Sequence, residues 1–362
     1  MSADLVRRLG LLMAVVLVVG GFGASQAPSA SAAGPTLAHL IGQKLVVRMS
    51  GTTPTADLLG RIRRGEIGGV VLFGANISSR SGLMALTRSL QAAAAAGGQP
   101  RLLIAVDQEG GAIKRIPWAP PTLSAPQIGR LASTSTARQQ GAATGAALRG
   151  LGINVDFAPV ADVPATTASI LYRQGRTFSF SATRTAALAD AFATGLEAGG
   201  VVPTMKHFPG LGYATRNTDR YMVTIRVSRT ALAPGLLPYR TAIGHRIPLI
   251  MLSNAAYTAY DLHYAAGWSP AIGTTLLRGQ LGYTGVTITD ALDGTAFARG
   301  LPVSLLADRA TRAGTDMLLL TGSEASSRAV YASLLRSASV GAFSVSALRA
   351  SWDRIVALKS GL

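Results

Sequence analysis

The 362-residue chain contains no cysteine. That excludes a disulfide framework, a thiol nucleophile, a thiolate-held metal and the lipidated cysteine of a bacterial lipoprotein. Histidine is nearly as scarce, with four in the chain, and acidic residues are half as numerous as basic ones, 17 Asp+Glu against 34 Lys+Arg. These few carboxylates and imidazoles are scattered, not grouped at metal-ligand spacing, and no glycine loop has a phosphate-cradling pattern, so neither a metal nor an organic cofactor is expected. The formal charge of +17 makes the surface basic. Nucleic acid is the first partner such a balance suggests, yet no basic helix carries interleaved aromatics, and nucleic acid is not expected. Anionic cell-envelope polymers fit better; the Ala/Gly/Arg-rich, Lys-poor usage of a biased gene explains the charge equally well.

The long apolar run is confined to the start. Arg7 and Arg8 precede an apolar stretch from Leu9 to Ala24, and Ala30-Ser31-Ala32 follows, the pattern of a secretory signal with its cleavage site. The stretch is short for a spanning helix and passes at once into small polar residues. Residues 1–33 are therefore expected to be a signal peptide and leader, leaving 34–362 as the folded part, secreted or held in the cell envelope with no stable membrane span after processing. A retained anchor is the alternative.

Beyond the leader, eight apolar, β-rich runs are bounded by turn signals: Leu45 to Met49, Gly69 to Phe73, Leu102 to Val106, Ile153 to Pro159, Val201 to His207, Leu249 to Ser253, Val286 to Asp290 and Met317 to Thr321. Between and after them lie helix-length Ala/Leu/Arg-rich stretches, among them Leu83 to Ala96, Ala137 to Gly150, Ala182 to Ala198, Val303 to Ala313 and Val345 to Leu358. Continuous apolar runs mark strands buried on both faces, and eight βα units over about 330 residues predict a single-domain (β/α)8 TIM-type barrel, with a doubly wound sheet as runner-up.

Chemistry in such a barrel sits at the C-terminal ends of its strands. Polar residues recur there: Asp107 and Glu109 after the third strand, Asp162 and the Arg173/Arg176 loop after the fourth, Lys206 and His207 at the fifth, Asn254 at the sixth and Asp290 at the seventh. The run Lys206-His207-Phe208-Pro209-Gly210-Leu211-Gly212 joins a cation and an imidazole to a tight turn, a polar wall suited to a hydroxyl-rich ligand. Asp290, after Thr287-Ile288-Thr289, is a carboxylate free to attack such a ligand or, more plainly, to cap a helix.

The segments Ile41-Gly42-Gln43-Lys44-Leu45, Ile67-Gly68-Gly69-Val70, Asp107-Gln108-Glu109-Gly110-Gly111 with Arg115, Asp156-Phe157-Ala158-Pro159-Val160, Gly175-Arg176-Thr177-Phe178, the KHFPGLG run, Gly285 to Asp290 and Ala313-Gly314-Thr315-Asp316-Met317 come in an order and spacing that resembles the family 3 glycoside hydrolases. The likeness is to their single-domain branch of β-N-acetylglucosaminidases (β-hexosaminidases) of bacterial cell-wall turnover. It implies a retaining, two-step cleavage of terminal β-linked N-acetylhexosamines through a covalent glycosyl-enzyme. By matching position, Asp290 is the implied nucleophile, and Asp107, Arg115, Arg176, Lys206 and His207 are implied to hold the sugar. Glu109 falls where the family has a structural residue and is left out of the expected site.

One departure stands out. This branch carries an Asp-x-His dyad after the KHFPG turn, its histidine being the general acid/base, whereas Tyr213 to Tyr221 contains no histidine. Counted without a gap, Asn217 and Asp219 take the two positions; with a two-residue insertion, Asp219 and Tyr221 do. Asp219 is the expected replacement acid either way. His39 and His245 lie on the far side of the barrel, and the Asp261-Leu262-His263 sequence has the dyad's spacing but an ordinary loop setting. Leu211 stands where many relatives have a second histidine. Competing readings are a β-glucosidase or transglycosylating relative, with phosphate or another sugar replacing water, and a catalytically weak sugar-binding envelope protein that has lost its acid.

Overall fold

The computed structural model describes residues 34–362, so the leader expected over 1–33 lies outside the described residues. The apolar runs form eight parallel strands: β1 (Leu45–Arg48), β2 (Gly69–Leu72), β3 (Leu103–Val106), β4 (Val155–Asp156), β5 (Val202–Phe208), β6 (Leu249–Leu252), β7 (Val286–Thr289) and β8 (Leu318–Leu320). Each pairs with its sequence neighbour from β1 to β7, β8 pairs with β1, and a bridge between Ile288 and Met317 joins β7 to β8. The ring is the expected (β/α)8 barrel and not the open doubly wound sheet.

Alternation along the strands sorts their side chains into two layers. Val46, Val71, Leu103, Ala105, Val155, Leu249, Met251, Val286, Ile288 and Leu319 share one buried cluster, the packed lumen of the barrel, which Ile355 of the helix Val345–Ser360 joins. Their strand neighbours, such as Val47, Val70, Leu72 and Ile104, belong to a second cluster with helix residues Leu58, Leu86, Leu90 and Leu306. Side-chain caps at Thr55, Ser79, Ser133, Ser181, Ser228, Ser323 and Ser344 each accept from a backbone N–H of the first helical turn, fixing where seven of the outer helices start.

Two irregularities matter for the site. The ladder of β4 is shorter than the run Ile153 to Pro159. The chain still bonds on both sides, Phe157 N–H to Val106 O at 2.8 Å and Thr204 N–H to Ala158 O at 2.8 Å. In β5 the register with β6 shifts between Lys206 and Phe208, which interrupts strict alternation where two polar side chains must both face the barrel mouth.

Candidate active site

At the C-terminal ends of the strands lies a cleft of about 460 Å³. Its lining includes Asp107, Glu109, Arg115, Arg176, Lys206, His207, Asn217, Asp219 and Asp290. All seven expected site residues are thus brought together from the ends of β3, β5 and β7 and from three loops. Asn217 lines the cleft beside Asp219, while Tyr221 is absent from its lining and stacks instead beneath Arg216, whose guanidinium carbon lies 3.6 Å from the ring centre.

The floor of the cleft is a web of charges. Lys206 Nζ lies 2.9 Å from Asp107 Oδ1 and 2.6 Å from Glu109 Oε1. Arg176 grips Glu109 with two parallel bonds, Nε to Oε2 at 2.8 Å and Nη2 to Oε1 at 2.7 Å, and Arg115 Nη2 stands 3.5 Å from Asp107 Oδ2. Burial works against the Glu109 anion, yet Arg176 and Lys206 outweigh it and hold its carboxyl down at about 2. Burial likewise opposes the Lys206 cation, and Asp107 and Glu109 reverse it, raising the ammonium above its ordinary value. Lys206 is therefore a charged, pre-positioned donor, and Asp107 an acceptor held from two sides.

Glu109, left out of the expected site as a structural residue, also lines the cleft. The glycine beside it serves backbone packing: Gly110 has φ +92°, and a Cβ there would stand 2.7 Å from Leu123 O. The glutamate itself, however, is the buried counter-ion that holds Lys206 and Arg176 at the cleft. Its partner Arg176 is 67 positions away in sequence, so only the fold reveals the pair.

Asp162, at the mouth beyond β4, orders the other half of the wall. Its Oδ2 accepts from the His207 backbone N–H at 3.2 Å and lies 2.8 Å from His207 Nδ1, and its Oδ1 accepts from Leu211 N–H at 2.5 Å. With Nδ1 donating to the carboxylate, Nε2 is the imidazole atom left for a ligand. Asp290 follows β7: its own N–H donates to Leu252 O at 2.9 Å, and its Oδ1 accepts from Ala291 N–H at 2.7 Å.

Asp219 sits on the loop after β5 and is exposed at the rim of the cleft. Enough protein surrounds its carboxyl that lost hydration, followed by the charge of Asp290, pushes it up to about 6. The remaining histidines lie elsewhere. His39 bonds to Thr36, His245 to Asp190, and the Asp261 carboxylate is taken up by the N–H groups of His263 and Tyr264 and by Ser269, the bonding of a turn. Among the described residues no cluster of three metal-ligating side chains occurs, and no helix is long and apolar enough to cross a membrane.

Comparison with known proteins agrees with this architecture. The sequence pattern of the "Glycosyl hydrolase family 3 N terminal domain" matches residues 36–358. An uncharacterised secreted glycosyl hydrolase of Arthroderma benhamiae is 34% identical over 332 residues, covering 90% of this chain and 94% of that protein. A β-hexosaminidase of Nitrosospira multiformis is 32% identical over 303 residues, covering 80% and 83%. A family 3 β-N-acetylglucosaminidase of Paenibacillus sp. superposes with a TM-score of 0.86 at 28% identity, over 90% of this chain and 62% of that longer one. With the barrel, the strand-end cleft and these likenesses in agreement, the chain belongs to glycoside hydrolase family 3 and is a glycoside hydrolase.

Proposed function

We propose that the protein is an exported exo-glycosidase that releases terminal β-linked N-acetylglucosamine from cell-wall fragments, with retention at the anomeric carbon. The observation that carries the reading is the single cleft in which Asp290 and Asp219 share space with a hydroxyl-binding web of Lys206, Asp107, Arg176, Arg115 and His207. Asp107 accepts a pair of hydroxyl protons while the cations and His207 Nε2 meet hydroxyl oxygens, fixing the terminal sugar in polarity and orientation. Asp290 attacks the anomeric carbon and forms the glycosyl-enzyme. Asp219 gives its proton to the leaving oxygen and takes one back from the water that frees the sugar.

The pH dependence follows from the raised Asp219 carboxyl. The acid form is needed for cleavage and is depleted as pH climbs past about 6, so kcat/KM on a sugar-leaving substrate falls above that pH. An aryl substrate, whose leaving group needs no proton, lacks that limb. Two features support an anionic fragment as the natural substrate. Arg48 and Arg216 both line the cleft and stack on the Phe73 and Tyr221 rings, and neither has an ion-pair partner among the described carboxylates. The +17 charge favours encounter with the same class of polymer. Export rests on the signal-like residues 1–33 and on the secreted relative.

The test compares turnover of nitrophenyl β-N-acetylglucosaminide and of N-acetylglucosaminyl-anhydromuramic acid by wild type, Asp290→Asn and Asp219→Asn. Asp290→Asn is expected to lose at least about 10³-fold on both. Asp219→Asn is expected to lose chiefly the fragment, and azide, a nucleophile that needs no base, restores its release of nitrophenol. A wild-type protein that binds N-acetylglucosamine and turns over neither substrate is instead a sugar-binding protein on a hydrolase fold, which the missing loop histidine would then explain.

A further inference from the structure

The turn that carries Asp219 is closed on itself. Asn217 Oδ1 accepts from Asp219 N–H at 2.8 Å, and Asn217 O accepts from Arg220 and Tyr221 N–H at 3.2 and 3.0 Å. Such a turn fixes its own shape and leaves open where it stands relative to Asp290. The start of the loop is tied to residues 170–173, Ile170 N–H to Ala214 O at 2.8 Å and Arg173 Nη2 to Thr215 O at 2.6 Å. The turn itself meets a different element, the helix Leu292–Arg299 that begins directly after Asp290.

Two contacts make that meeting specific. Thr295 Oγ1 donates to Thr218 O at 3.1 Å, both residues being buried. One residue earlier, Gly294 lies directly against the Asp219 backbone: a Cβ added there would stand 2.7 Å from Asp219 O, 3.3 Å from its Cα and 3.2 Å from its Cβ. Glycine inside a helix is less favourable than alanine. Here the missing side chain is what lets the turn reach the helix. The helix is also fixed at its other side, because Asp293 Oδ2 accepts from Thr321 N–H at 2.7 Å beyond β8, and Leu292 is fully buried.

We propose that Gly294 and Thr295 are positioning residues that seat Asp219 at its working distance from Asp290, the helix after β7 serving as a common mount for nucleophile and acid. The proposal rests on the reading of Asp219 as the acid. It goes further in assigning the acid's placement to a helix that makes no chemical contribution of its own. Retaining cleavage needs its two carboxyl groups at a narrow separation, about 5–5.5 Å, and a displacement of about 1 Å at a reacting group costs up to about a hundredfold in rate. A methyl group at residue 294 would stand 2.7 Å from Asp219 O and has no room unless the Asp219 backbone gives way.

The experiment measures kcat/KM for N,N′-diacetylchitobiose, whose leaving sugar must be protonated, and for nitrophenyl β-N-acetylglucosaminide, whose leaving group need not be. Gly294→Ala is expected to lower the first about tenfold or more and the second by less than about threefold, with thermal unfolding retained. Thr295→Val is expected to act in the same direction more weakly, and Thr295→Ser, which keeps the hydroxyl, to restore the wild-type ratio. Introduced into Asp219→Asn, Gly294→Ala is expected to add no further loss on diacetylchitobiose. Equal losses on both substrates, or full additivity with Asp219→Asn, would overturn the seat. If Asp219→Asn shows the leaving-group dependence while Gly294→Ala and Thr295→Val are silent, the acid stands and the seat falls. If Asp219→Asn itself shows none, the acid reading fails and the seat fails with it. Should Gly294→Ala not fold, the Thr295→Val and Thr295→Ser pair decides by the same ratio.

Discussion

Two buried lysines, one at each end of the barrel, meet the same physics with opposite outcomes. Lys206, 2% exposed at the cleft, is wrapped by Asp107 and Glu109 and is held charged above its ordinary range. Lys359, 3% exposed near the N-terminal ends of β1 and β2, donates to Gln43 Oε1 and, at 2.7 Å, to Gly68 O, and has no carboxylate partner among the described residues. Burial pushes its ammonium down to about 7. Desolvation opposes the charge at both places, so the partner decides. The mouth spends scarce carboxylates on keeping cations ready for a ligand, while the floor satisfies a lysine with neutral acceptors.

The sharpest way to break this contrast is to replace each lysine by methionine. Lys206→Met leaves Asp107 with only the longer contact to Arg115 and removes one of the two cations on Glu109; a loss of about 3 kcal/mol in urea unfolding and of nearly all sugar affinity is expected. Lys359→Met trades two hydrogen bonds for relief from burying an ammonium, and Gly68 O keeps its bond from Leu103 N–H, so a change within about 1.5 kcal/mol is expected at pH 7. Comparable losses from both would mean that the floor lysine needs its charge as much as the mouth lysine does.

A subtler effect is the slope of stability with pH. The Glu109 carboxyl is held at about 2 in the folded protein against 4.5 unfolded, so between those values the unfolded chain binds more protons. Its stabilisation is present above about pH 4.5 and is lost as pH falls towards 2. The Lys359 ammonium is at about 7 folded against 10.5 unfolded, and again the unfolded chain binds more protons in between. Its penalty is full below about pH 7 and is relieved as pH rises towards 10.5. Urea unfolding across the full range should show Glu109→Gln flattening only the acid limb and Lys359→Met only the alkaline one. A cross-effect would show that the two ends are coupled.

Most of the barrel could be read from the chain because strands buried on both faces leave continuous apolar runs such as Leu249 to Leu252, and because chemistry gathers at one end of them. The helix Ala182–Ala198 was legible to the residue, while Arg229–Gly244 was hidden by the internal Pro234 and Pro238 and Leu292–Arg299 by its short length. Asp107, Lys206, His207 and Asp290 were visible as strand-end polar residues. Glu109 and Asp162 were visible in the same way, but their roles needed the structure, since these lie in partners 67 and 45 positions away. Gly294 carries no local signal at all, because a close approach between distant backbones leaves nothing in the sequence but an ordinary glycine.

The helix Val345–Ser360 has a consequence for the order of assembly. It supplies Lys359 to Gln43 and Gly68, Ser351 to Lys44 and Arg354 to Asp316, contacts that reach back as far as 316 positions. Ile355 completes the lumen from below. Closing loops of that length is slow and comes late. A chain emerging from a ribosome therefore cannot seal the underside of its barrel until residue 359 is free. Until then the underside of the lumen, where Ile355 packs, stays uncovered.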